Sequence, residues 1–196
     1  MPAYTKPFGF QPVTLIGGRV NAGSTREIPM TANFGTKIRY GDMVKVASGV
    51  IARDTATTAF TSGGVLGVFL GCTYTDPTMG KVFRQNWVAS TTAADPVAII
   101  CDDPMAIFRV AYVSGTTVVT GLTVANAVGK NVSMVANDTS TVISDAAVSA
   151  VATTSTLPYR IVDVDRDSLN AAGTLYTAMF VTYNFGNHAY QQATGT

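Results

Sequence analysis

The stretch PVAIICDDPMAIFRV, residues 96–110, sets the tightest limit on what this chain can fold into. Two apolar runs of strand length are broken only by Asp102, Asp103 and Pro104. A continuous apolar run predicts a strand buried on both faces, because a half-exposed strand would alternate. Asp favours turns and Pro lacks a backbone N–H, so DDP predicts a turn into a second strand.

The same grammar recurs along the chain. In GDMVKVASGVIARD, Met43, Val44 and Val46 are separated from Val50 and Ile51 by Ser48-Gly49, which predicts a hairpin. GGVLGVFLGCTYTD reads as a strand entered at Gly63-Gly64 and left at Asp76-Pro77. Its Gly67 and Gly71 weaken an isolated strand and predict close approach by a neighbour. KVFRQNWVAS alternates and places Trp87 in the core. NVSMVAND, STVIS, YRIVDVDRD and LYTAMFVTYNF predict four more strands. LTVANAVGK predicts a short helix ending at Gly129, and residues 145–156 a loop or weak helix.

Composition agrees. Glu27 is the only glutamate, and Thr, Val, Ala and Gly dominate. Thr and Val suit a pleated surface, while residues that fill exposed helix faces are scarce. The predicted fold is all-β, a β-sandwich or β-barrel with extended N- and C-terminal arms. Residues 1–20 form the first arm, 21–185 the β-rich domain and 186–196 the tail. A soft internal boundary falls near residues 114–121.

The motifs of catalysis and metal binding are missing. His188 is the only histidine and lies in FGNHAYQQ near the C-terminus. No HExxH, CxxC or phosphate-binding glycine loop occurs. Cys72 and Cys101 each lie in an apolar run and read as free buried thiols. Asp102-Asp103 and the alternating Asp163, Asp165 and Asp167 supply carboxylates. They read as turn and strand-face residues, with Arg160 and Arg166 as partners, rather than as a glycosidase pair. The chain is therefore read as a non-enzyme without cofactor or metal. A net charge of +1 with widely spaced Lys and Arg argues against nucleic acid, and no apolar stretch is long enough for a membrane helix.

The two ends carry aromatics on segments that cannot build a core alone. TKPFGFQPV holds Phe8 and Phe10 between prolines, close to Tyr4. YNFGNHAYQQ holds Phe185 and Tyr190 around His188. Ordering an extended segment costs about 1–2 kcal/mol per residue, so such ends must dock on something large. Either Phe8 and Phe10 anchor a partner, or the segment folds back on its own domain as an edge strand. In the first case, deleting residues 2–12 leaves the domain folded and abolishes binding.

The blocks GDMVKVASGVI, GGVLGVFLGCTYTDPTMGKVFRQNWVAS and DPVAIICDDPMAIFRV, with the ending TAMFVTYNFGNHAY, resemble capsid decoration, or cement, proteins of tailed bacteriophages, especially those of marine and cyanobacterial phages. The resemblance covers residues 40–110 and 157–192. It implies an outer-capsid protein seated on a major capsid shell of the HK97 fold, tying capsomers together against the pressure of packaged DNA. It also implies a homo-oligomer, a trimer before a dimer. On that reading Tyr4, Phe8 and Phe10 anchor the arm. Arg19, Arg26, Lys37 and Arg39 meet an acidic shell surface. Phe185, His188 and Tyr190 make a second contact. Other readings are a tail or head-fibre component and a carbohydrate-binding β-sandwich, for which Gln85-Asn86-Trp87 has the right residue types.

Overall fold

The computed structural model describes residues 6–113, 124–165 and 176–193. Tyr4 and the soft boundary at residues 114–121 lie outside them, as do Arg166 and Asp167.

The fold is all-β, as read from the sequence. One sheet of seven strands combines β1 (Gln11–Leu15), β2 (Arg19–Val20), β11 (Ala106–Ala111), β12 (Asn131–Val135), β13 (Ala147–Ala152), β14 (Tyr159–Val164) and β15 (Ala178–Tyr183). Their order is β13-β12-β14-β15-β11-β1-β2. The second sheet runs β3 (Arg26–Pro29), β10 (Ala94–Cys101), β7 (Gly67–Asp76), β5 (Met43–Ala47) and β6 (Val50–Arg53), with β8 (Gly80–Arg84) paired to the far half of β7. A two-stranded piece, β4 (Ile38–Arg39) and β9 (Asn86–Trp87), lies apart from both. Every strand pair is antiparallel. The seven-stranded sheet also curls. Just past β11, Tyr112 bridges Val148 of β13, and the Val113 N–H donates to the Val148 carbonyl at 2.9 Å.

Two cores follow from this stacking. Between the sheets, Phe10, Phe108, Tyr159, Met179 and Tyr183 meet Met43, Val68 and Cys101. On the other face of the second sheet, Val44, Ile51, Phe69, Cys72 and Ile100 are covered by Met30, Ile38 and Trp87. The second sheet is thus covered on both faces at Cys101 and Ile100 of β10, whereas Val97 and Ile99 are only half-buried and the strand opens on exposed Ala94 and Asp95. Trp87 is fully buried, packs edge-on against Tyr74 with ring centroids 5.6 Å apart, and donates its indole N–H to the Phe34 carbonyl at 3.0 Å. Cys72 and Cys101 are free and buried, one in each core, so the sheet itself keeps them apart.

The expected hairpin is β5–β6, with Ser48 and Gly49 both at positive φ (52° and 79°), as a primed turn requires. The close approach read from the glycines is also present. A Cβ on Gly67 would collide with the Cys101 carbonyl oxygen and come within 2.9 Å of the Asp102 Cα. One on Gly71 would meet the Phe83 ring and the Arg84 carbonyl oxygen, each at 2.8 Å. The short helix is α1 (Val124–Ala127), followed by Gly129 at φ +82°.

Four expectations are corrected. The described part of the expected arm, residues 6–20, is no free arm: β1 lies inside the sheet, between β11 and β2, and the edge belongs to β2. Residues 145–156 hold a strand, because Ala147 and Val148 find buried places beside β12 and tertiary pairing overrides weak propensity. STVIS contributes only a single bridge, Ile143 to Tyr40. KVFRQNWVAS breaks at Gln85 into β8 and β9, which pair with different strands.

Phe10 is the joint of the main core. It is fully buried, 6.1 Å from Phe108 edge-on and 4.9 Å from Tyr159, measured between ring centroids. Phe10→Ala should destabilise the protein by about 3–5 kcal/mol in denaturant titration. Deleting residues 2–12 should unfold the domain, with loss of the near-ultraviolet dichroism of the packed aromatics. A folded truncated protein would contradict this placement.

Candidate interaction surface

The residues read from the sequence as partner contacts divide sharply by burial. Phe8 and Phe10 belong to the protein's own interior. Phe8 packs with Ala111, Val113, Ala147 and Ala178, beneath the Arg109 guanidinium. Neither ring is available to a partner. Arg39 and His188 are also fully buried, against expectation. Lys37 is partly buried and forms an ion pair with Asp138 at 3.1 Å. Arg19, Arg26, Phe185 and Tyr190 remain exposed.

Arg39 is buried because it is completely answered. A guanidinium carries five N–H donors. Nε and Nη2 donate to the two Asp42 carboxylate oxygens at 3.2 and 3.3 Å. Nη1 reaches Asp145 Oδ1 at 2.6 Å and the Ser140 carbonyl at 3.2 Å, and Nη2 reaches the Asn137 carbonyl at 2.7 Å. Arg53 joins from β6, donating to the same Asn137 carbonyl at 2.7 Å and lying 3.3 Å from Asp42. Burial works to raise the Asp145 pKa, but hydrogen bonds from Thr139 and the Arg39 charge outweigh it and hold this carboxyl below its usual 3.8.

The C-terminal segment is built as a rigid mount. The Asn187 N–H donates to the Asn184 carbonyl at 2.9 Å, closing a turn with Phe185 and Gly186 at its tip. Gly186 has φ +83°, the third-position geometry of a type II turn. Both flanks are pinned inside. Asn184 Nδ2 donates to the Ser155 and Leu157 carbonyls at 2.7 and 2.9 Å, and Asn187 Nδ2 to the Pro158 carbonyl at 2.9 Å. The chain then pairs with Val65 through Val65 N–H to Asn187 O and Ala189 N–H to Val65 O, both 2.8 Å. Phe185 is left 82% exposed on this base, the most exposed large apolar residue described.

Five residues further on, Tyr190 caps a polar corner. Its hydroxyl donates to Asp102 Oδ2 at 2.6 Å and accepts from Arg26, whose guanidinium also lies 2.8 Å from Asp102. The Arg26 Cζ stands 5.4 Å from the Tyr190 ring centre. The sequence singled out Arg26 and Tyr190 separately, but nothing local signalled Asp102 as the link.

A second apolar area surrounds a groove of about 340 Å³ lined by Lys37, Asn86, Trp87, Val88, Ala89 and Thr141. Val88 and Ile143 are exposed nearby in sequence.

The other carboxylates are structurally employed. Asp103 accepts the Met105 N–H at 2.8 Å, and Asp165 pairs with Arg109. Arg160 turns instead to Asn131 and Asn184. Among the described residues, no group of three or more His, Cys, Asp or Glu could hold a metal ion. No protein-family model, curated protein or solved structure matches the chain.

Phe185→Ala should leave stability within about 0.5 kcal/mol of the parent. Gly186→Val, which forces a branched side chain to positive φ, should cost at least about 1–2 kcal/mol. Equal effects in thermal unfolding would refute the mount-and-tip arrangement. Arg39→Met removes the charge that Asp42 and Asp145 share inside the fold and should destabilise by about 3–5 kcal/mol. The Asp145 contribution should hold above pH 3.8 and fade as pH falls through its lower folded-state pKa. A pH series of denaturant midpoints on Asp145→Asn and the parent checks the sign.

Proposed function

We propose that this chain is a structural virion protein that decorates the outer surface of an icosahedral phage capsid. On this reading it cements neighbouring subunits of an HK97-fold shell against internal DNA pressure, as a homo-oligomer with a trimer favoured over a dimer. The observation that carries it is Phe185, 82% exposed on a turn whose flanking residues Asn184 and Asn187 are 3% and 0% exposed. An aromatic carried on a fixed turn loses little backbone entropy on docking and has the character of an interface anchor. The resemblance of residues 40–110 and 157–192 to decoration proteins supplies the kind of partner.

The contact set differs from the sequence reading. Phe185, Tyr190, Arg26 and Arg19 stay as candidate partner residues, while Phe8, Phe10, Arg39 and His188 act within the fold. Quantifying the protein against the major shell protein in purified virions should give about one copy per shell subunit or a simple fraction such as one third. A ratio near one per hundred would place it in the tail or portal, and absence from the particle would sink the reading. Phe185→Ala should weaken binding to undecorated heads by at least about thirtyfold, the effect of losing roughly 2 kcal/mol at an anchor.

A further inference from the structure

We propose that His188 is an acid-operated latch on the segment that presents Phe185. Proton uptake at Nδ1 removes the acceptor of the Tyr190 N–H and places a charge inside a closed aromatic pocket, so the segment releases Val65. The proposal extends the reading of Phe185 as an anchor, but the latch itself is a property of the isolated protein.

The geometry gives His188 little room for a charge. The residue is fully buried. Its ring lies between Tyr183 and Tyr190, with centroids 4.6 and 5.0 Å away, both edge-on. Nδ1 accepts the Tyr190 N–H at 3.2 Å, so the neutral ring carries its proton on Nε2. Nε2 has no partner at full hydrogen-bonding geometry, although the Leu66 and Asp102 backbones lie close enough to favour a proton on the ring. Charging the ring therefore breaks the bond from Tyr190, and what the Leu66 and Asp102 backbones offer the proton is smaller than the cost of burial.

The surrounding groups settle the sign. From the β10–β11 turn, Asp102 and Asp103 attract a proton to His188. Asp102 is already engaged by Arg26 of β3 and by the Tyr190 hydroxyl. Cys101 and Tyr183 are buried beside the same turn, and burial pushes both pKa values up, so they stay neutral. Below the Val65 loop, Asp54 is held by Thr61, and burial raises its pKa. Burial of His188 outweighs the Leu66 and Asp102 backbones and the two carboxylates, and holds its pKa under 6.5. The released segment regains the ordinary value. Docking is thus at full strength above pH 6.5. Below it the docked-to-released ratio falls, by at most tenfold per pH unit, until the docked pKa is reached.

His188 is the chain's only histidine, so its ring proton resonances titrate without ambiguity. The experiment follows those resonances from pH 8 to 4.5. At each pH it also measures hydrogen exchange of the Val65 and Ala189 amides, divided by the intrinsic rate. The expected result is a ring midpoint below 6.5 and protection at both amides that falls from pH 6.5 downward while the β11 amides hold theirs. His188→Gln, which keeps an acceptor and does not titrate, should flatten that profile. A midpoint at or above 6.5 overturns the latch. So does unchanged protection, or protection lost equally by β11, which would be global acid unfolding. The decoration reading stands or falls separately, on virion stoichiometry.

Discussion

A buried guanidinium whose five donors are all accepted holds this molecule together. Arg39 ends β4, in the two-stranded piece beside the second sheet, yet three of its acceptor groups come from the loop between β12 and β13 of the first. The apolar contact between the sheets is non-directional and tolerates sliding. The Arg39 cluster does not, because each donor must keep its own acceptor. Burying the ion pair is not itself a large source of stability. Its effect is registry: the cluster fixes how the β12–β13 loop lies on β4.

The same logic explains the C-terminal segment. Main-chain pairing with Val65 fixes its path, and amide side chains satisfy carbonyls that a loop would leave to water. Asn184 and Asn187 thereby turn a polar stretch into a firm base. A hydrophobic residue on a loose tail would bury itself or wander. On this base Phe185 does neither, and exposure becomes a fixed property of the surface.

Local chemistry was legible in the sequence, and partnership was not. Ser48-Gly49 announced its hairpin because a two-residue turn demands residues that accept positive φ. The apolar run at the end of β10 announced the two-sided cover found at Ile100 and Cys101, though Val97 and Ile99 stay half-buried, and Gly67 announced a near neighbour. Phe8 and Phe10 looked detached because prolines break local pattern, while the strand that receives β1 lies almost a hundred residues away. By residue type, Arg39 and His188 belong at a surface. Their burial depends on Asp145, 106 positions from Arg39, and on Val65, which no local window contains. The candidate surface was half legible: Phe185, Tyr190 and Arg26 were named, but Asp102, which joins the last two, was not.

The strand order has a consequence for how the chain comes into being. The first strand of the large sheet pairs with β11, and β11 pairs on its other side with β15, the last. A ribosome therefore emits Phe10 long before any surface exists to receive it, and the sheet reaches full width only when Tyr183 has emerged. Pairings this distant in sequence form slowly. Throughout synthesis the nascent chain must carry an uncovered Phe10 and an incomplete sheet, the condition in which aggregation competes with folding. For this topology, chaperone binding and slow translation are matters of yield, even though the finished protein hides the residues concerned.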